Sequence, residues 1–172
     1  MFKTSFNLRN INKEDIVKYI EFLSDPEVKV WLEDEVQNIS DQGKIENYLT
    51  YGLYRQAVES EGDFIGISGL DLIDSKNKVA RFFIVLGKKD LWSKGIGTEV
   101  TKSVVKHGFE VLKLRKINSD FLQPNEGVKI VHEKAGFKKD GVLRKDSMRN
   151  GVWVDRILVS IFSEELIMQK KY

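Results

Sequence analysis

Cysteine is missing from this chain altogether. That excludes disulfides, cysteine nucleophiles and thiolate metal sites, and it leaves the compartment open. Proline occurs twice, as Pro26 and Pro124, and both stand where helices start. Histidine also occurs twice, as His107 and His132. No apolar run approaches membrane-spanning length, and Met1-Phe2-Lys3-Thr4-Ser5-Phe6 has no signal-peptide apolar region. Charge of one sign is lacking too: 28 basic and 26 acidic residues are interspersed, for a net +2. A nucleic-acid binder concentrates Lys and Arg on one face, and Lys170-Lys171 is too short for a basic tail. Repeats, linkers and low-complexity segments are absent. The expectation is a soluble cytoplasmic protein without metal, membrane or nucleic-acid partner. The 172 residues, 41% of them hydrophobic, suit a single domain over 1–172 with a good-sized core.

The pattern along the chain is mixed α/β. Phe2 to Leu8 reads as a first strand. Asn12 caps a helix with Asp15 at N3, and Ile16, Tyr19, Ile20 and Leu23 form its apolar stripe. Asp25-Pro26-Glu27 opens a short helix, with Asp25 as N-cap and Pro26 at N1. Ser40 caps a further helix carrying Ile45, Tyr48 and Leu49. The period then changes. Arg55 to Glu59, Phe64 to Ile73 and Val79 to Leu86 read as an antiparallel meander. Thr98 to Leu112 is helical, Lys116 to Leu122 a strand, and Asn125 to Ala135 a helix stopped by Gly136. Phe137 to Arg149 and Val152 to Phe162 form a hairpin around Asn150-Gly151.

The most informative stretch runs from Ala80 to Thr98. A strand ending in Ile84-Val85-Leu86 gives way to Trp92-Ser93-Lys94-Gly95-Ile96-Gly97-Thr98, and a helix begins. The first N–H groups of a helix lack internal partners and carry partial positive charge. Glycines let the backbone approach a pyrophosphate, and Lys94 adds a charge. The motif therefore suits a phosphorylated cofactor, although a Gly-x-Gly alone also serves as a plain strand-to-helix turn.

Two blocks carry a resemblance across nearly the whole chain. Trp92 to Glu99 is similar to the acetyl-CoA pyrophosphate loop of the GCN5-related N-acetyltransferases. Asn125-Glu126-Gly127-Val128-Lys129-Ile130-Val131-His132-Glu133-Lys134-Ala135-Gly136-Phe137 is similar to that family's asparagine, helix and closing Lys-x-Gly-Phe. The spacing between the blocks and the ending Gly141 to Arg144 … Asn150 to Asp155 fit as well. The flavour is that of the ribosomal-protein N-terminal, spermidine and amino-sugar acetyltransferases. The resemblance implies an α+β fold with a mixed, mostly antiparallel sheet of about seven strands flanked by helices. It also implies transfer of an acetyl group from acetyl-CoA to a primary amine.

By that resemblance, the amides of Lys94, Gly95, Ile96, Gly97 and Thr98 hold the pyrophosphate, beside Trp92. The edge of Ile84, Val85 and Leu86 pairs with the pantetheine arm. The N–H of Val85 or Leu86 faces the thioester oxygen. Asn125 caps its helix and adds a cofactor contact. His132 stands where many members of the family place a tyrosine that protonates the leaving thiolate. Imidazole can act as an acid near neutrality, or the residue can be a satisfied histidine on an amphipathic helix. His107 has the weaker case. Candidate general bases are Glu33, Asp34, Glu35, Asp71 and Asp155; Glu99 complements the helix dipole.

The early helices and the final hairpin supply the acceptor pocket in such proteins. Here these bring Trp31, Glu33 and Glu35, with Asp71, and Trp153. An aromatic beside acids suits a cationic acceptor: a polyamine, an amino sugar or a peptide N-terminus. The alternative is a non-catalytic acyl-CoA sensor of the same fold. A homodimer through the last hairpin stays open.

Overall fold

The computed structural model describes residues 5–37 and 42–169. Its elements, in chain order, are β1 (Asn7–Arg9), α1 (Lys13–Ser24), α2 (Pro26–Lys29), α3 (Asp34–Gln37), α4 (Gln42–Thr50), β2 (Tyr54–Ser60), β3 (Asp63–Asp74), β4 (Val79–Leu86), α5 (Ile96–Glu110), β5 (Lys116–Leu122), α6 (Glu126–Ala135), β6 (Lys138–Arg149), β7 (Val152–Phe162) and α7 (Ser163–Gln169). The strands form one seven-stranded sheet in the order β1-β2-β3-β4-β5-β7-β6. Every neighbouring pair is antiparallel except β4 and β5. The mixed, mostly antiparallel architecture expected from the sequence is therefore present.

Local chemistry explains most boundaries. Asn12 and Asp15 exchange both bonds of a capping box at 2.9 Å, and Arg9 grips the Asp15 carboxylate at 2.6 Å. Burial works to raise the Asp15 pKa, yet the Arg9 and Asn12 hydrogen bonds bring it below the usual value. Asp25 caps α2, with Pro26 at its first turn. Asn150 and Gly151 both take positive φ, as a two-residue hairpin turn with the sheet's twist requires. Helix α5 begins at Ile96, earlier than the expected Thr98, because the left-handed Gly95 takes the N-cap. Helix α7 was not anticipated; the Phe162 N–H donates to Glu165 at 2.9 Å and closes its first turn. The proposed Ser40 cap and the start of the first strand at Phe2 lie outside the described residues.

The sheet has an apolar layer on each face. On one, Phe82, Val100, Val104, Ile117 and Ile161 pack under α5. On the other, Tyr19, Ile45, Leu49 and Ile67 pack under α1 and α4. The feature that matters for function lies between the layers. Strands β4 and β5 pair over three positions only, Val79 with Lys116, Ala80 with Ile117 and Arg81 with Asn118, and then part. Beyond Arg81, β4 runs on to Leu86 against β3 alone. Beyond Asn118, β5 runs on to Leu122 against β7 alone.

Candidate active site

The parted strands leave a cleft edged by unpaired backbone. Alternation along β4 decides which groups face it. The Phe82 carbonyl accepts from the Ser119 hydroxyl on β5 at 3.1 Å, and the Leu86 carbonyl accepts from Trp92 Nε1 at 2.9 Å. The Phe83 carbonyl instead accepts from Ser68 on β3 at 2.9 Å. Backbone groups of Phe82, Ile84 and Leu86 thus turn to the cleft, and those of Val85 turn to β3. An added Cβ on Gly66 of β3 would stand 2.1 Å from the Val85 carbonyl, which confirms that direction. The cleft-facing amide nearest the middle of the exposed edge is therefore Ile84, not Val85.

At the open end of the cleft stands the N-terminus of α5. Gly95 is the N-cap at φ 89° and offers no side chain to the first amides, so those of Ile96, Gly97 and Thr98 are without intrahelical partners. Nothing lies within 4 Å of where a Gly95 Cβ would be. Lys94 is exposed beside it, and Thr98 is buried. Gly97 faces β4 and α6: an added Cβ would meet Val131 at 3.3 Å and Leu86 at 3.6 Å. The Trp92 indole, bonded to Leu86, folds this loop back onto the end of β4. Asn125 caps α6 by accepting from the Val128 N–H at 3.2 Å.

His132 lies at the closed end, only 2% exposed. Phe82, Phe121 and Phe137 surround its ring at centroid distances of 5.9, 5.6 and 4.9 Å. Nδ1 is 2.9 Å from the Val128 carbonyl and Nε2 is 2.8 Å from Ser119 Oγ. A carbonyl only accepts, so Nδ1 carries the proton in the neutral ring. Burial lowers the His132 pKa, partly offset by the Val128 carbonyl, so the ring is neutral at pH 7. Nε2 is then an acceptor, so it and the Phe82 carbonyl share the single Ser119 hydroxyl proton where the strands part.

The opposite face of the sheet carries a charge network. Glu33, in the turn before α3, accepts from Arg81 on β4 at 2.8 Å and from Arg156 on β7 at 2.9 and 3.2 Å. Asp120 on β5 takes Arg81 at 2.8 Å and also Arg156. Arg156 further donates to Asp146 at 2.6 Å and Ser147 at 3.1 Å. Asp71 is held by Arg55 at 2.7 to 3.0 Å, and Arg55 lies between the Tyr48 and Phe83 rings. Buried Arg149 donates to the Val30 and Leu32 carbonyls at 2.7 and 3.0 Å, which straps the Trp31 turn to the final hairpin.

The sequence reading expected acids open to a cation. Glu33 and Asp71 are instead each clasped by arginine. Glu33 comes to this face, whereas Trp153 alternates with Arg156 onto the other face and is 56% exposed. The Lys145 N–H donates to Asp155, on the same side as Trp153, at 2.8 Å. The side chains of Asp34 and Glu35 lie outside the described residues. Arg81 and Arg156 were missed; their positions on the same face as the acids, by strand alternation, were the available signal. His107 stacks on Tyr54 at 4.0 Å, away from the cleft.

A family model described as an acetyltransferase (GNAT) domain matches residues 5–138. The chain is 42% identical over 72 residues to the probable N-acetyltransferase YjcK of Bacillus subtilis, a span of 42% of this chain and 40% of that relative. It thus matches less than half the length of YjcK. It is 25% identical over 171 residues to the spermidine N(1)-acetyltransferase of Escherichia coli K12, covering 97% and 91% of the two chains. The spermidine N-acetyltransferase of Vibrio cholerae, solved with CoA and spermine, superposes with a TM-score of 0.78 at 18% identity. That match covers 94% of this chain and 98% of the other, and it speaks to fold.

Proposed function

The chain belongs to the GNAT acetyltransferase family, and from that premise we propose how it carries an acetyl group from acetyl-CoA to a primary amine. The observation that carries the reading is the unpaired β4 edge leading to a bare helix N-terminus. Such amides are the donors that a pyrophosphate and an amide-rich pantetheine arm call for. Acetyl-CoA supplies an activated thioester; the remaining roles belong to the chain.

Ile96, Gly97 and Thr98 amides hold the pyrophosphate, with Lys94 and the Gly95 turn beside them. Ile84 and Leu86 present the strand edge. The Ile84 N–H is the donor to the carbonyl oxygen as negative charge builds there; one such donor is typically worth about 3 kcal/mol. The amine nitrogen attacks the carbonyl carbon, the carbon–sulfur bond breaks, and the amine's proton passes to water. Glu33 shapes the acceptor wall, because both its oxygens already accept from guanidinium groups. His132 positions the cleft through Ser119 instead of giving a proton to the thiolate. Trp31, Asp71 and the arginines complete the acceptor wall. The spermidine acetyltransferases among the relatives support a small amine as the acceptor, with an amino sugar or a protein N-terminus as the other candidates.

The burial of His132 favours one second reading, a catalytically silent acyl-CoA binder. Thiol release from acetyl-CoA across a panel of polyamines, amino sugars, amino acids and peptides separates the two. Turnover with one amine class is expected. Cofactor binding without turnover across the panel supports the silent binder.

A further inference from the structure

We propose that the outer face of the β6–β7 hairpin docks a second copy of this chain, Trp153 of each copy entering a cavity beside α6 of the other. The inference goes beyond the transferase reading and begins with a residue that reading does not use. Of the eleven large apolar residues exposed among the described residues, five lie on this one hairpin. Three of the five share a face. Cross-strand partners project to the same side, and the register pairs Met148 with Trp153 and Val142 with Ile157. It is the side on which α6 lies, since Ile157, Val159 and His132 of α6 line one cavity. Trp153, Met148 and Val142 nevertheless stay exposed. Tryptophan and methionine are enriched at protein interfaces, and a clustered apolar strip is uncommon on a free surface. The outer edge of β6 is a poorer docking site: two register shifts interrupt it, and Lys138, Lys139, Arg144 and Lys145 guard it.

The other end of the strip is what fits a second copy. A cavity of about 270 Å³ opens there between α6 and β7, floored by Phe121, His132, Phe137, Ile157 and Val159. An apolar cavity of about 150 Å³ is enough for benzene, so this one has room for an indole. Ile157 and Val159 follow Trp153 along β7 by four and six residues, about 13 to 20 Å. The projecting ring and the cavity thus share one surface but stand too far apart to meet within one chain. A two-fold axis between them brings each ring to the other copy's cavity. The charges agree with such an axis. The cavity rim sets Glu126 and Glu133 against Lys129 and Lys139, a balance that does not repel its own copy. A rim of one sign would instead select an oppositely charged partner. Glu126 and Lys129 pair with each other at 3.1 Å, while Glu133 and Lys139 have no ion pair among the described residues. The Glu133 carboxylate is the acceptor that a buried indole N–H requires.

The test is the mass of the full chain by sedimentation equilibrium, between about 1 and 100 µM. A monomer–dimer equilibrium is expected. Trp153→Asp is expected to raise the dimer Kd at least ~100-fold, because it removes the central aromatic and brings a carboxylate to an apolar cavity. Val152→Asp makes the same change one residue away, at a side chain that is exposed on the opposite face of the hairpin. It is expected to hold Kd within about threefold. Circular dichroism checks that both variants keep the wild-type fold. A monomer throughout the range overturns the proposal, and so does a dimer indifferent to Trp153→Asp. Equal loss in the two variants overturns it as well, because the hairpin tip and not this face is then responsible. Growth past two copies does the same, since a two-fold contact closes on itself. Thiol release, present or absent, bears on none of these outcomes.

Discussion

At the α5 end of the cleft the groups on offer are backbone amides: Ile84 and Leu86 on a strand edge, and Ile96 to Thr98 at a helix start. At the Arg81 end they are side chains, three carboxylates and two guanidiniums from five separate segments. The two ends fail differently. Backbone donors survive most substitutions, and only bulk or a changed φ removes them. The charge network loses its balance with any one member. A cofactor common to a family can be held by the first kind of site, and an acceptor peculiar to one protein needs the second.

The sharpest way to break the backbone end is to fill it. Gly97→Trp puts an indole where the α5 amides face the cleft. Acetyl-CoA affinity is expected to fall at least ~100-fold, about 2.7 kcal/mol, by calorimetric titration with helicity retained by circular dichroism. Unaltered affinity removes the pyrophosphate assignment. At the side-chain end, Arg156→Met leaves Glu33, Asp120 and Asp146 facing one another. Losing one partner of a buried pair costs about 3–5 kcal/mol, less where a partner is half exposed, so a loss of about 2 kcal/mol is expected by denaturant unfolding. A cost below that of an ordinary surface pair shows that the network is not structural. Ser119→Ala takes the hydroxyl from the Phe82 carbonyl and is expected to cost about 1 kcal/mol, with kcat/KM falling while acetyl-CoA affinity holds. The smallest effect is a slope. His132 has a lowered folded pKa, so the unfolded chain binds its proton first as pH falls. That contribution is fully present above about pH 6.5 and drains away below it. Unfolding of the wild type and His132→Gln at pH 7 and pH 5 tests this, the wild type losing more; equal losses detach the histidine from stability.

Much of the backbone end was legible in the sequence, because the signals are local. Val79 to Leu86 and Lys116 to Leu122 are the observed strands, read from run length and bounding turns, and Gly95 marks the start of α5. The pleat of β4 was not legible. Whether Ile84 or Val85 faces the cleft depends on which edge pairs with β3, a matter of register. The side-chain end was half legible. Glu33 and Asp71 stood out as acids, but Arg81, Arg156 and Arg55 reach them across 16 to 123 residues of sequence. Charge balance along a chain does not say which opposite charges meet. His132 likewise owes its surroundings to Phe82 and Phe121 on two other elements.

The three-rung contact between β4 and β5 has a consequence for how the molecule comes apart. It is the seam of the sheet: the four strands on one side and the three on the other share three cross-strand positions there, against seven between β2 and β3 and eight between β3 and β4. A pantetheine arm along Ile84 and Leu86 would act as basting thread, supplying rungs the protein omits. Occupancy would then show as slowed amide exchange on both flanks of the seam, well beyond the atoms touched, with tight binding and a sturdier sheet as one event.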